Sequence, residues 1–211
     1  YELSLVGGPV RDLLLGRDAL DLDFTTNASP DQTLELIRDW ADAHWEIGRE
    51  FGTIGMRKAG MQLEITTYRA DRYDRQSRNP EVAWGDSLVD DLARRDFTVN
   101  AMAVSLGPDR TVTDPFGGLG DLIRRRLRTP GPAEESFADD PLRMLRAVRF
   151  VAQLGLTPDN DVVAAMTAMR DRLAIISVER VQDELSKLLL TARPRPGLGR
   201  PRHQGRHQPG H

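Results

Sequence analysis

Leu5-Val6-Gly7-Gly8-Pro9-Val10-Arg11-Asp12, followed ten residues after Arg11 by Asp21-Leu22-Asp23, decides the architecture of this chain. An apolar run through Leu3, Leu5 and Val6 reads as a strand. Gly7-Gly8-Pro9 then opens a short helix that Gly16 stops. Two glycines between a strand and a helix let backbone N–H groups approach a phosphate closely. Taken alone, the same pair also makes an ordinary tight turn. Residues 20–26 read as the next strand. Side chains at i and i+2 share a face there, so Asp21 and Asp23 converge while Leu22 and Phe24 turn to the core. Neighbouring carboxylates repel unless a cation lies between them. Magnesium, which takes carboxylates together with substrate phosphates, meets that need. A solvated strand edge would carry the same Asp-x-Asp, but after a glycine-glycine turn it becomes a candidate metal site.

Further along, Ser29-Pro30 opens a helix predicted over 31–43, with Leu34, Ile37 and Ala41 on one face. Thr53–Arg57 and Met61–Thr67 alternate around Lys58-Ala59-Gly60, the pattern of a hairpin. Glu64, flanked by Leu63 and Ile65, belongs on the polar or cleft face of its strand. There it is either a base or metal-assisting acid for an attacking hydroxyl, or a plain surface glutamate. Residues 70–86 are polar and irregular and read as a mobile loop. A helix starts from Ser87, and Arg94-Arg95-Asp96-Phe97-Thr98-Val99-Asn100 gathers cationic forks, a carboxylate and an amide at its end. Arg95 suits a triphosphate oxygen, and Asp96 suits a ribose hydroxyl. A hairpin over 101–113 follows, with Gly107-Pro108-Asp109 at its tip, and then Asp114-Pro115-Phe116-Gly117-Gly118 as a bracing turn.

From Ala138 the pattern is helical, over 139–154, 159–170 and 178–190, so a second domain starts near 131–138. In Asp139-Asp140-Pro141-Leu142-Arg143-Met144-Leu145-Arg146-Ala147-Val148-Arg149, a helical wheel places Asp140, Arg143, Arg146 and Arg149 in one half. Met144, Leu145, Val148, Val151 and Ala152 take the opposite arc. Asp140 and Arg143, three apart, are neighbours that hold each other rigid, and such an edge pairs with a base as another base would. The alternative is a solvated charged face. After Thr191 the composition collapses into Arg, Pro, Gly, His and Gln, which cannot form a core.

Bulk composition narrows the function. With 39% hydrophobic and 29% charged residues, the 211-residue chain has the make-up of a globular protein. No apolar run is long enough to cross a membrane and no signal peptide is visible, which points to the cytoplasm. Cysteine is absent, which excludes disulfides, thiolate nucleophiles and zinc–thiolate sites. Net charge is −3, yet five arginines and no acid fall in the last twenty residues. Residues 1–191 thus carry about −8, and any RNA site must be a local basic patch.

In this order LVGGPVRD, DLD, EITTYR, RRDFTVNA, DPFGG and DDPLRMLRAVRF resemble the class II tRNA nucleotidyltransferase and bacterial poly(A) polymerase family, within the polymerase β-like superfamily. The likeness runs from about Leu3 to Leu190. It implies an α+β fold: a polymerase β-like head with a mixed or antiparallel sheet and helices over 1–130, then an all-helical neck over 131–191. Residues 192–211 are expected to be a disordered tail. By the same resemblance Gly8 and Arg11 contact the nucleotide, and Asp21 and Asp23 bind Mg²⁺ in a two-metal site. Arg95, Asp140, Arg143, Arg146 and Arg149 line the ATP/CTP pocket, Asp140 and Arg143 acting as the protein template that reads the base. The implied reaction adds C and A from CTP and ATP to the 3′ end of tRNA, releasing pyrophosphate. Poly(A) synthesis and a non-catalytic nucleotide-binding fragment are the alternatives. Gly48-Arg49-Glu50-Phe51-Gly52-Thr53-Ile54 looks like the CCA-adding form, since the poly(A) polymerases of this group carry a more basic stretch there. The chain departs from the family in having Asp139-Asp140 where Glu-Asp is usual. It also opens at Tyr1 inside a strand and lacks most of the body and tail, so it reads as a fragment.

Overall fold

A computed structural model describes residues 1–18, 21–71, 82–85, 87–192 and 194. In chain order the elements are β1 (Leu3–Val6), α1 (Gly8–Leu14), β2 (Asp21–Thr26), α2 (Pro30–Ile37), β3 (Ala43–Trp45), β4 (Thr53–Lys58) and β5 (Met61–Thr67). Then come β6 (Arg69–Asp71), β7 (Val82–Trp84), α3 (Leu88–Ala93), β8 (Ala103–Ser105), β9 (Val112–Thr113) and α4 (Gly118–Arg124). The helical part comprises β10 (Arg126–Leu127), α5 (Ala133–Asp139), α6 (Leu142–Leu154), β11 (Thr157–Pro158), α7 (Asn160–Met169) and α8 (Val178–Leu189). Seven strands form one mixed sheet in the order β3-β4-β5-β2-β1-β8-β9, in which only β2 and β5 run parallel.

The period-2 alternation of β2, β4 and β5 gives the sheet two different faces. Phe24, Ile54, Met56 and Leu63 point to one side, where they pack with Leu5, Val10 of α1 and Ile37 of α2. On the other side Val6 and Ala103 are covered by Leu92 of α3. Beyond β1 this second face carries Asp21, Asp23, Gln62, Glu64, Gly55 and Arg57, the alternate residues of β2, β5 and β4. A capping box starts α2: Gln32 N–H donates to Ser29 Oγ, and Ser29 N–H to Gln32 Oε1.

The largest buried cluster joins Phe97, Val99, Leu122 and Leu127 to Phe137, Met144, Ala147, Phe150, Leu156, Val162 and Ala165. Phe97 and Phe150 meet edge-to-face, with centroids 5.7 Å apart. Fully burying side chains of this size is worth roughly 1.5–3 kcal/mol each. The segment after α3 is therefore anchored on the helices that follow it.

Three expectations are corrected. The helix predicted over 31–43 ends at Ile37, because Asp42 N–H bonds Arg57 O and Ala43–Trp45 pair with β4 as an edge strand. The helix predicted over 139–154 is two helices. α5 ends at Asp139, Asp140 is extended, and α6 begins only after Pro141, which has no N–H to continue the ladder. The ends of the stretch read as an irregular loop pair as antiparallel strands, Arg69–Asp71 with Val82–Trp84. Its middle, and the expected disordered tail from 193 on apart from Pro194, lie outside the described residues.

Candidate active site

The glycine turn is built as its sequence requires. Gly7 takes φ +71°, a left-handed conformation that suits glycine. A Cβ at Gly7 would stand 2.9 Å from Nη1 of Arg95, so that guanidinium lies directly over the turn. Arg95 is held by α3, where its Nη2 donates to Asp91 Oδ2 at 3.3 Å, while its buried Nε has no partner. Asp91 is itself buried and also accepts from Arg94 Nε at 3.0 Å and Thr25 Oγ1 at 3.2 Å. Burial pushes the Asp91 carboxyl up, but Arg94 and Arg95 outweigh it and hold it below the usual range.

Beside this turn, Asp21 and Asp23 project from the same face of β2. Glu64 stands opposite Asp23 in the parallel register of β5. None of the three carboxylates makes a hydrogen bond or ion pair among the described residues. Asp23 is raised above the usual carboxylate range by burial, with Arg95 pulling it down and Asp21 pushing it further up. Glu64 is raised by burial, then by Asp23 and Asp21. Carboxylates left without a donor, with Asp23 and Glu64 resisting ionisation, fit a cation supplied from outside. Asp21 and Asp23 are the residues that would hold it. Among the described residues no group of three or more His, Asp or Glu converges as a ligand set.

The remaining predicted residues are in a different state. Arg11 is 5% exposed. Its Nε and Nη2 donate to Asp12 at 2.9 and 2.8 Å and its Nη1 to Asn100 Oδ1 at 2.6 Å. Gly8 lies next to it, a Cβ there falling 3.5 Å from Arg11 Nη2. Asp96 is buried and accepts from Phe97 N–H, Asn100 Nδ2 and Arg146 Nε at 2.8, 2.9 and 2.7 Å. Burial raises its carboxyl, but Arg146, Asn100 and the Phe97 amide together depress it. Arg146 also reaches Glu184 Oε1, and Arg149 Nε donates to Glu184 Oε2 at 2.7 Å. The guanidinium carbons of Arg11, Arg146 and Arg149 stand 5.3, 5.6 and 4.4 Å from the Phe150 ring centre.

Asp140 and Arg143 sit at the α5–α6 junction but do not pair their side chains. Asp140 Oδ2 accepts from Arg180 Nη2 at 2.8 Å, and its Oδ1 from Leu142 N–H. Arg143 donates to Ser136 Oγ at 2.8 Å and to Arg94 O at 2.6 Å. The wheel treated Asp140 as helical; its extended backbone turns its carboxylate towards α8 instead.

Asp91, Phe150 and Glu184, which the sequence reading passed over, organise the site together with Asn100, which it read only as an amide at the end of the α3 stretch. Glu184 is 3% exposed although acidic. Its signal was its place in α8, three residues after Val181 and four before the buried Leu188, an inward-facing position. Asp91 had a signal too, three and four residues before Arg94 and Arg95 on one helix face. The contacts of Asn100 and Phe150 with Arg11 had none, because Arg11 comes from a distant segment.

The family described as the poly A polymerase head domain matches residues 3–128. A second, described as a probable RNA and SrmB-binding site of polymerase A, matches residues 155–205. The CCA-adding enzyme of Levilactobacillus brevis is 43% identical over 199 residues, covering 94% of this chain and 49% of its own length. That of Geobacillus stearothermophilus is 43% identical over 190 residues, 90% of this chain and 46% of its own. The chain thus spans about half the length of these relatives. Among solved structures, the Bacillus stearothermophilus CCA-adding enzyme in complex with CTP superposes with a TM-score of 0.78 at 41% identity, covering 89% of this chain and 44% of that one. A tRNA nucleotidyltransferase complexed with a primer tRNA and an incoming ATP analog gives 0.77 at 32% identity, covering 93% and 55%. With the head-domain family matched over more than half of its residues and such relatives along nearly all of it, the chain belongs to the tRNA nucleotidyltransferase and poly(A) polymerase family.

Proposed function

We propose that the chain carries the catalytic centre of an RNA nucleotidyltransferase that adds C and A from CTP and ATP to the 3′ end of tRNA. Residues 1–130 serve as the head and 131–191 as a helical neck. The observation that carries this reading is the pair Asp21 and Asp23, without a donor of their own, beside a glycine turn over which Arg95 is suspended. Relatives described as CCA-adding enzymes, one of them in complex with CTP, support it.

Asp21 and Asp23 hold Mg²⁺, which when bound neutralises phosphate charge and lowers the pKa of the attacking hydroxyl. Gly7 and Gly8 let the triphosphate approach the backbone, and Arg95 places its unused donors against the oxygens that gather charge as pyrophosphate leaves. Glu64, raised by burial and then by Asp23 and Asp21, accepts the proton of the RNA 3′-hydroxyl. Arg11, Asp96, Arg146 and Arg149 act as one partly buried frame under the nucleotide site, holding the turn at Asn100 and α6 in register. Asp140 and Arg143 read the incoming base, and Asp140 exchanges Arg180 for it.

The test is incorporation of labelled CTP and ATP into tRNA lacking its CCA end. Incorporation of both is expected. A long ATP-only tail would instead make this a poly(A) polymerase. Nucleotide binding with no incorporation would make it a binding fragment.

A further inference from the structure

The open face of the sheet continues past the carboxylates for three more strands. Cross-strand register sets Asp23, Glu64, Gly55 and Trp45 in one row across β2, β5, β4 and β3. The neighbouring row is Asp21, Gln62, Arg57 and Ala43. Gly55 has no side chain of its own, and the Trp45 indole fills its place. A Cβ there would fall 2.0 Å from Nε1, 2.3 Å from Cε2 and 2.8 Å from Cδ1 of Trp45. The ring thus lies over the strand in line with the carboxylates, and it is half-buried, with part of its surface open to solvent. Arg57, one row away on the same face, is exposed, and its side chain makes no hydrogen bond or ion pair among the described residues.

Direction follows from the sheet order. The glycine turn and Arg95 stand on the β1 side of β2, so the triphosphate occupies that side. In-line displacement puts the attacking hydroxyl opposite the leaving pyrophosphate. The RNA strand must then come in from the other side, over β5, β4 and β3. Resting on the proposed polymerase reading of the carboxylates, the geometry points to this face as a track for single-stranded RNA, with Trp45 as a stacking seat for one base and Arg57 as a phosphate contact beside it. Three strand steps are about 14 Å. At about 3.4 Å per stacked nucleotide, and up to roughly twice that when drawn out, this is two to four nucleotides behind the reacting end. An aromatic face accepts any base, which suits a position that reads no sequence.

The experiment uses the full chain and a set of fluorescein-labelled single-stranded RNA oligonucleotides. Each has one abasic nucleotide, placed at successive positions from the 3′ end, and binding is followed by anisotropy. The expected result is a loss of affinity of about tenfold at a single position between the second and fourth. Elsewhere little change is expected. Trp45→Leu should bind the unmodified RNA about tenfold more weakly and lose this position dependence, whereas Trp45→Phe keeps it. A parent chain that binds no RNA, or binds every abasic probe alike, overturns the proposal. So does a Trp45→Leu variant with the parent's position pattern. If Trp45→Leu fails to fold, the scan on the parent and on Trp45→Phe still decides. Extension of the unmodified RNA with CTP, measured separately, reads the proposed activity. A positional signature without extension would sink that activity and leave the track.

Discussion

The carboxylates of β2 and the arginines of α6 are both dense charge, and the fold handles them in opposite ways. Asp21, Asp23 and Glu64 are gathered on one face and left without donors. Arg143, Arg146 and Arg149 are each tied to acceptors in the protein: the Arg94 carbonyl, Asp96 and Glu184. A half-buried charge kept without a partner, as Asp23 is, costs stability, so its position points to a ligand. A charge saturated inside the protein is explained by the structure it braces. On the proposed reading the catalytic chemistry belongs to the β2 face, and Arg146 and Arg149 set the shape around it.

The largest effect should come from breaking the first side. Asp21→Ala or Asp23→Ala should lower nucleotide transfer by on the order of 10³-fold or more, without loss of folding stability, since repulsion is removed. Transfer assays with CTP at ordinary magnesium, alongside thermal melts, test this, and near-parental activity in either variant would sink the metal assignment. Breaking the second side should do the reverse. Glu184→Ala strips the shared acceptor from Arg146 and Arg149 and should cost about 3 kcal/mol in urea unfolding. Any activity lost should track the fraction unfolded, and a stable variant with a large rate defect would move Glu184 into the catalytic machinery.

Much of the first side was legible in the sequence, because its logic is local. Gly7-Gly8, the i, i+2 spacing of Asp21 and Asp23, and the apolar neighbours of Glu64 dictate turn, strand and face with no knowledge of partners. The second side was only half legible. The three-residue step of the arginines was visible and read as one face lining a nucleotide pocket, with a solvated face as the alternative. Their acceptors Asp96 and Glu184 lie 50 and 35–38 residues away, and no helical wheel carries that separation. Asp140 was misread for a local reason: Pro141 ends one helix and starts another, so the wheel phase does not run through it.

A smaller effect sharpens the comparison at its boundary, where Asp140 and Arg143 hold exposed edges as well as protein contacts. Asp140→Ala with Arg143→Ala should erode discrimination between CTP and UTP by about ten- to a hundredfold, the worth of one or two hydrogen bonds left unmade by the wrong base. The readout is the ratio of kcat/KM values on one RNA primer. Because Arg143 also bonds the Arg94 carbonyl, overall rate and stability will fall as well, and only the ratio is diagnostic. An unchanged ratio would leave the pair as braces, like Arg146 and Arg149.

The smallest effect distinguishes the two sides by sign. Asp96 is held below its ordinary pKa of 3.8 despite its burial, so its pairing stabilises the fold above that value and is lost as pH falls through the depressed pKa. Asp23 is held above 3.8, chiefly by burial and with Asp21 adding to it. The folded protein therefore keeps its proton more tightly than the unfolded chain does, and stability is lost as pH rises from 3.8 through the raised pKa. Asp23→Asn removes that loss. In EDTA at pH 7 the variant should melt about 1–2 °C above the parent, the shift that about 0.5 kcal/mol produces in a chain of this size. Below the ordinary carboxylate pKa both proteins carry a neutral side chain at this position, and the gain should vanish. Asp96→Asn should behave oppositely, less stable than the parent at pH 7 and converging with it in acid. Magnesium adds a second handle: it should raise the melting temperature of the parent at pH 7 and leave Asp23→Asn nearly unmoved, because a ligand stabilises only the form that binds it. A Tm gain for Asp23→Asn that persists below pH 3.8 would show that repacking, rather than charge, separates the variant from the parent.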